Sequence, residues 1–163
     1  MRMPSIRKSL FYFFILCVLP VFQGCSWVNN FYVSNTTNEE VKVEILLNDS
    51  PGDFPIFYNE KNLHVAYKIN SHNGPDYPNT VPVQKEKTGS TDHVIIILQP
   101  KTTLQIGALS NDKYTSHKQN FINGRVFNLK LIKISQKNIE RSIDPDQFDA
   151  QLKKVKGDFV YAI

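Results

Sequence analysis

Apolar and polar residues alternate along much of this chain after residue 30, and a period of two is the pattern of a half-buried β-strand. The clearest case is 41–47, where apolar residues occupy every second position and Lys42 and Glu44 lie between them. The same alternation recurs in three later segments, at 63–69, 102–109 and 125–135. The segment 94–98 is instead apolar throughout, which favours a central strand covered on both faces.

Short stretches of turn-forming residues separate these segments, at 34–38, 48–52 and 99–101. Counting the intervening strands gives about seven to nine, and such a number predicts a mainly β protein with an antiparallel β-sandwich. Gly107 lies inside one strand and predicts a bulge or a close approach of two backbones. The segment 32–47 and the two strands around Pro100 loosely resemble the immunoglobulin-like or transthyretin-like sandwiches of small exported bacterial lipoproteins.

One short helix is predicted near the C-terminus. Asp144 can cap it, Pro145 suits its first position, and Gln147 completes a capping box. The helix is expected to continue through Phe148, Leu152 and Val155, with Lys153, Lys154 and Lys156 in its last turn and Gly157 ending it. A closing strand is predicted at 158–163.

The first 25 residues have the composition of an export signal. Arg2, Arg7 and Lys8 precede an apolar run from Leu10 to Phe22, which is short of the ~20 residues that span a bilayer. The ending Phe22-Gln23-Gly24-Cys25 resembles the lipobox of bacterial lipoproteins, although Phe22 and Gln23 are not the residues that the family prefers there. The alternative is an ordinary signal peptide that is cut nearby and leaves Cys25 as a thiol.

The resemblance implies cleavage between Gly24 and Cys25 and attachment of fatty acyl chains such as palmitate to Cys25. It divides the chain into a signal peptide at 1–24, a lipidated tether at 25–30 and one domain at 31–163. Cys17 is lost with the leader, so no internal disulfide can form. One acyl chain holds a protein only marginally, whereas the three of a bacterial lipoprotein anchor it stably.

Removing the leader also changes the charge. The whole chain has 19 basic and 15 acidic residues, and the loss of three basic residues leaves 16 against 15. A near-neutral domain lacks the clustered positive charge that nucleic acids attract, so no nucleic-acid partner is expected.

No motif for catalysis, a metal or another cofactor stands out. The four histidines, at 64, 72, 93 and 117, show no metal-ligand spacing. Asp144, Asp146 and Asp149 fit a helix start better than a calcium loop. No nucleophile elbow is present. We therefore expect a protein that is not an enzyme, with neither a metal site nor a cofactor.

Loops are the expected place for binding, because a sandwich supplies rigid ends on which loops can vary. The longest predicted loops are 70–90 and 112–123. Tyr58, Tyr77 and Tyr114 are the candidate contact residues, since exposed aromatic side chains often anchor interfaces. The alternative is that both segments are mobile surface loops with no partner.

The hypothesis is a membrane-anchored lipoprotein whose domain binds an envelope protein or polymer. Ser26 lacks the aspartate that resembles an inner-membrane retention signal, and residues 27–30 lack the acidic cluster that resembles a surface-export signal. These resemblances imply the outer membrane, facing the periplasm. One alternative is an accessory similar to the outer-membrane lipoprotein of type VI secretion systems. Another is an envelope enzyme whose site is assembled from dispersed histidines and carboxylates.

Overall fold

The computed structural model describes residues 27–49, 54–63, 65–70 and 74–163. Strands dominate the described residues, with one α-helix and one 3-10 turn. In chain order, the elements are β1 Val28–Asn35, β2 Val41–Leu47, β3 Phe54–Pro55, β4 Val65–Ile69, β5 Pro75–Pro82, β6 Gln84–Glu86, β7 His93–Leu98, β8 Thr102–Ser110, the 3-10 turn Ile122–Gly124, β9 Arg125–Val126, β10 Leu129–Gln136, β11 Ile139–Ile143, α1 Pro145–Gln151, β12 Lys153–Val155 and β13 Asp158–Ala162.

Two main sheets enclose one core, which confirms the predicted mainly β sandwich with a short helix. The six-stranded sheet has the order β12-β13-β1-β8-β4-β5, and the five-stranded sheet has the order β11-β10-β2-β7-β6. A small parallel pair, β3 and β9, lies beside them. Within the main sheets all described strand pairs are antiparallel except β1 and β13, which run parallel.

Alternation along the strands accounts for the core. In β2, Val41, Val43, Ile45 and Leu47 are buried while the residues between them are partly exposed. Phe31 and Val33 of β1 face the same core from the other sheet, and Phe148 joins them from α1. Phe31 packs against four aromatic rings, those of Phe57, Tyr114, Phe148 and Phe159. An apolar center of this size is the main source of stability in a domain without an internal disulfide.

Gly107 has both features that its position predicted. The pairing of β1 with β8 shifts beside it, since Phe31 pairs with Gly107 while Tyr32 pairs with Gln105. A Cβ atom on Gly107 would lie 2.6 Å from the carbonyl oxygen of Ile56. Only glycine lets the segment 56–58 approach β8 this closely.

The start of the helix is confirmed, but its predicted end is wrong. The Asp144 side chain accepts a hydrogen bond from the Gln147 amide, and the Gln147 side chain accepts one from the Asp144 amide. However, α1 ends at Gln151, and Lys153–Val155 forms strand β12. Backbone pairing with β13 outweighs the helical pattern there. Lys156 and Gly157 form the turn of this hairpin rather than a helix terminus.

Segment 70–90, predicted as a loop, carries two edge strands, so that prediction is wrong. β5 lies at the edge of the six-stranded sheet and β6 at the edge of the five-stranded sheet. Three prolines in β5 made the segment look irregular, yet an edge strand tolerates prolines because its outer amides need no partner. Val83 passes between the sheets and packs on the core.

Three finer predictions also differ from the structure. Strand β1 begins at Val28, three residues before the predicted domain boundary. β7 has a strand on each side, as predicted, but only one of its faces is fully buried, because Val94, Ile96 and Leu98 are buried and the residues between them are partly exposed. In β4 the buried residue is Ala66 whereas Val65 is exposed, because Leu63 enters the core before the strand starts.

Candidate functional site

The loops gather at the end of the sandwich where β1 begins, which we call the proximal end. Val28 pairs with Ser110, so β8 ends there. After the turn at 36–40, β2 runs back and ends there as well, opposite the start of β10 at Leu129. The connections 48–63, 87–92 and 111–128 therefore all lie at the proximal end, together with α1.

A cleft of about 440 Å³ opens among these loops. We call it the proximal cleft. Aromatic rings line part of it, and most of its other lining residues carry hydrogen-bonding side chains. Its lining consists of Leu47, Asn48, Asp49, Phe54, Pro55, Phe57, Tyr58, Asn59, Asn62, Thr91, Asp92, Arg125 and Asn128.

Asn128 holds one wall of the cleft in place. Its side-chain oxygen accepts a hydrogen bond from the Phe57 amide at 2.8 Å, and its Nδ2 donates to the Phe57 carbonyl at 3.1 Å. The Asn128 carbonyl also accepts from the amide of Asn48 at 2.7 Å. The Asn128 side chain thus bonds the backbone of Phe57 as a neighbouring strand would. These bonds fix the position of the segment that carries Tyr58.

Arg125 is the basic side chain of the cleft, and none of the ion pairs among the described residues involves it. Burial raises the pKa of the Tyr58 hydroxyl, while the charge of Arg125 lowers it in part. The guanidinium is therefore close enough to act on Tyr58 electrostatically. The cleft lining thus contains an arginine, the carboxylates of Asp49 and Asp92 and several amides, and these groups can bind a polar ligand through hydrogen bonds and charge.

A second polar cluster lies at the same end around Asp149 of α1. Its carboxylate accepts hydrogen bonds from the Tyr114 hydroxyl, from Ser116 Oγ at 3.0 Å and from the His117 amide at 3.0 Å. His117 Nδ1 lies 2.6 Å from the same carboxylate. Burial of this carboxyl raises its pKa, but hydrogen bonds from Tyr114, His117 and Ser116 lower it by more, so its pKa lies below the usual range.

This cluster contains a serine, a histidine and an aspartate, but not in the geometry of a hydrolase triad. In such a triad, the serine hydroxyl is hydrogen-bonded to the histidine, which activates it. Here Ser116 donates to Asp149 instead, and the second ring nitrogen of His117 lies 3.5 Å from Asp146. The arrangement fastens the loop 111–121 to α1.

The two histidines among the described residues, His93 and His117, do not contact each other. His93 contacts Glu44 at 2.7 Å on the outer face of the five-stranded sheet, far from His117 in the topology. His64 and His72 lie outside the described residues. Across the part of the chain that the structure describes, no group of three or more histidine, cysteine or acidic residues could hold a metal ion.

The three candidate tyrosines have different surroundings. Tyr58 lines the proximal cleft. Tyr77 is 52% exposed on β5, and its hydroxyl lies 2.8 Å from that of Tyr32. Tyr114 is only 5% exposed, and its ring is part of the core. Burial raises the pKa of the Tyr114 hydroxyl, as does its bond to Asp149. We therefore keep Tyr58 and Tyr77 as candidate contacts, and assign Tyr114 to the packing of the loop.

Tyr58 and Tyr77 belong to one polar and aromatic surface on the outer face of the six-stranded sheet. Tyr77 packs edge-on against Tyr67, with ring centroids 5.3 Å apart. Gln105 donates to the hydroxyl of Tyr58 at 3.3 Å and to Asn30 at 2.9 Å. Sequence reasoning found two of these tyrosines. It missed Arg125 of the proximal cleft, for which no local pattern gave a signal.

Comparisons with known proteins do not assign this chain to a group. No protein-family model, curated protein or solved structure matches it. Among the described residues, no helix is both long and apolar enough to cross a membrane. The predicted signal peptide and Cys25 lie outside the described residues.

Proposed function

We propose that this chain is a bacterial lipoprotein of the outer membrane, facing the periplasm. Acyl chains on Cys25 hold it there, and the proximal cleft binds a segment of an envelope protein or polymer without catalysing a reaction. Two features support the proposal, namely the lipobox-like ending at Cys25 and the cleft on the folded domain.

The position of Cys25 relative to the fold carries the proposal. Strand β1 begins at Val28, only three residues after Cys25. Cleavage before Cys25 would therefore leave all of β1 in the remaining chain, as a lipoprotein leader requires.

The chemistry of the cleft supports the part of the proposal that concerns binding of an envelope protein or polymer. Arg125, Asp49 and Asp92 offer charges of both signs, and Phe54 and Tyr58 offer apolar rings. Segments of polypeptides and glycans combine polar groups with apolar faces, and such a mixed lining suits both.

Metabolic labelling with an alkyne analogue of palmitate tests the anchor. Wild-type protein and the variant Cys17→Ala should incorporate the label, whereas Cys25→Ala should lose it, because only Cys25 is predicted to be acylated. Cys17→Ala is the matched control, since it removes the other cysteine of the chain. Label retained in Cys25→Ala, or absent from the wild type, would contradict the proposal.

A further inference from the structure

Exposed apolar side chains gather at the proximal end, next to the proposed anchor. Trp27 is 57% exposed, Ile122 is 47% exposed, and Val28 is also exposed. We call these three residues the proximal patch. Phe54, another exposed aromatic residue, lies beside it, because its ring is 3.8 Å from where a Cβ of Gly124 would be.

Hydrogen bonds hold the members of the patch in one place. Trp27 Nε1 donates to the carbonyl of Asp112 at 3.2 Å. The Asp112 carboxylate accepts from the backbone amides of Ile122 at 3.0 Å and of Lys113 at 2.7 Å. Asp112 therefore connects Trp27 and Ile122, two apolar residues that are 95 positions apart in the sequence. Two backbone amides donate hydrogen bonds to its carboxylate.

The neighbouring hairpin adds positive charge. Asn29 donates to the carbonyl of Gly157 at 3.0 Å, which places the Lys156-Gly157 turn at the same end. Lys113 follows Asp112 directly. Apolar residues with a tryptophan, flanked by lysines, match the boundary between lipid headgroups and acyl chains, where tryptophan is enriched and lysines meet anionic lipids.

The length of the tether limits how far this end can move from a membrane. Val28 follows Cys25 by three positions along the chain, a separation that can span at most about 10 Å. If Cys25 is acylated, as the proposed function states, the start of β1 must stay that close to the bilayer surface.

We propose that the proximal patch lies on the phospholipid bilayer, so that Trp27, Val28 and Ile122 form the membrane contact and the residues that line the proximal cleft are not part of it. This inference depends on the proposed acylation of Cys25. It goes further by assigning a lipid contact to Ile122, which is remote from Cys25 in the sequence.

Tryptophan fluorescence tests the contact, because Trp27 is the only tryptophan of the chain. The full lipoprotein, with acylation verified by mass, is reconstituted in vesicles of phosphatidylethanolamine and phosphatidylglycerol. The single tryptophan is then moved, with Trp27→Phe combined with either Ile122→Trp or Ile139→Trp. Ile139 is the matched control, since it is 59% exposed but lies at the opposite end.

Lipids brominated near the headgroup should quench the fluorescence at positions 27 and 122, roughly twofold or more above that at position 139. Aqueous acrylamide should show the reverse order. Equal quenching at positions 122 and 139 in acylated protein would overturn the lipid contact and leave the anchor intact. Shielding of position 122 in native membranes but not in these vesicles would also overturn it, and would indicate a protein partner. Absence of acylation would instead refute the proposed function.

Discussion

Asp149 is the residue on which the proximal end depends most. Its carboxylate accepts hydrogen bonds from three residues of the loop 111–121, namely Tyr114, Ser116 and His117. The loop in turn contacts β1, because the Tyr114 amide donates to Asn29 at 3.1 Å. The loop is thus joined to the helix through the side chain of Asp149 and to the first strand through that of Asn29.

Replacing this carboxylate should destabilise the protein in a pH-dependent way. Asp149→Asn is expected to lower the free energy of unfolding at pH 7 by about 2 to 3 kcal/mol, since hydrogen bonds to a charged group are lost. The pKa of Asp149 is lowered in the folded state, so its contribution is present above the unfolded-state pKa of about 3.9 and is lost as pH falls through the folded value.

Urea unfolding at pH 7 and at successively lower pH measures this effect. The difference between wild type and Asp149→Asn should shrink as the pH falls below about 4. Asp146→Asn is the matched control, because Asp146 is an exposed helix residue that pairs with Lys118 at the surface and should contribute less than about 1 kcal/mol. A difference that is independent of pH would contradict the role given to the charge.

At the scale of elements, the local sequence predicted where the helix α1 begins but not where it ends. The start of α1 could be predicted because Asp144, Pro145 and Gln147 act within one turn. Its end could not, because residues 152–157 fit both an amphipathic helix and a strand, and the choice depends on β13. Gly107 was informative because a glycine inside a strand often marks a bulge or a close approach of two backbones.

The Lys156-Gly157 turn allows a test of the hairpin that replaced the predicted helix end. Both residues have positive φ, at 51° and 99°, as a type I′ turn requires. Gly157→Ala should therefore lower the free energy of unfolding by about 1 kcal/mol. Lys156→Asn should raise it by about 0.5 kcal/mol, because asparagine accepts this conformation more readily.

Thermal and urea denaturation of the two variants distinguish the turn from a helix. The control is Lys153→Asn, which makes the same replacement at an exposed position inside β12 and should be neutral or slightly destabilising. If Lys156→Asn and Lys153→Asn changed the stability equally, the turn assignment would lose its support.

At the scale of the whole molecule, the sheets could be predicted but the cleft could not. Alternation reports which face of a strand is buried, so the sandwich follows from the sequence. The cleft joins Asp49, Asp92 and Arg125, which come from three separate connections. Only the pairing of distant strands brings these connections to one end.

Arg125 offers a test of the cleft. Cross-linking in intact cells, followed by purification of the full protein, should recover partners from the wild type, and Arg125→Ala should reduce this recovery on the order of tenfold because a charged hydrogen bond is lost. Arg141→Ala is the matched control, because Arg141 is the other arginine of the described residues and lies on the exposed edge strand β11. Equal recovery with both variants would exclude Arg125 from binding.

The parallel pairing of β1 with β13 has a consequence for the order of folding. Strand β1 takes one neighbour, β8, from residues 102–110 and the other, β13, from residues 158–162. A polypeptide that emerges N-terminus first therefore cannot close this sheet until residue 162 has appeared. Phe31 of β1 cannot stack on Phe159 of β13 before then. Such an arrangement leaves one flank of β1 unpaired until β13 has been synthesised, so the six-stranded sheet closes only after all its other described strands are present.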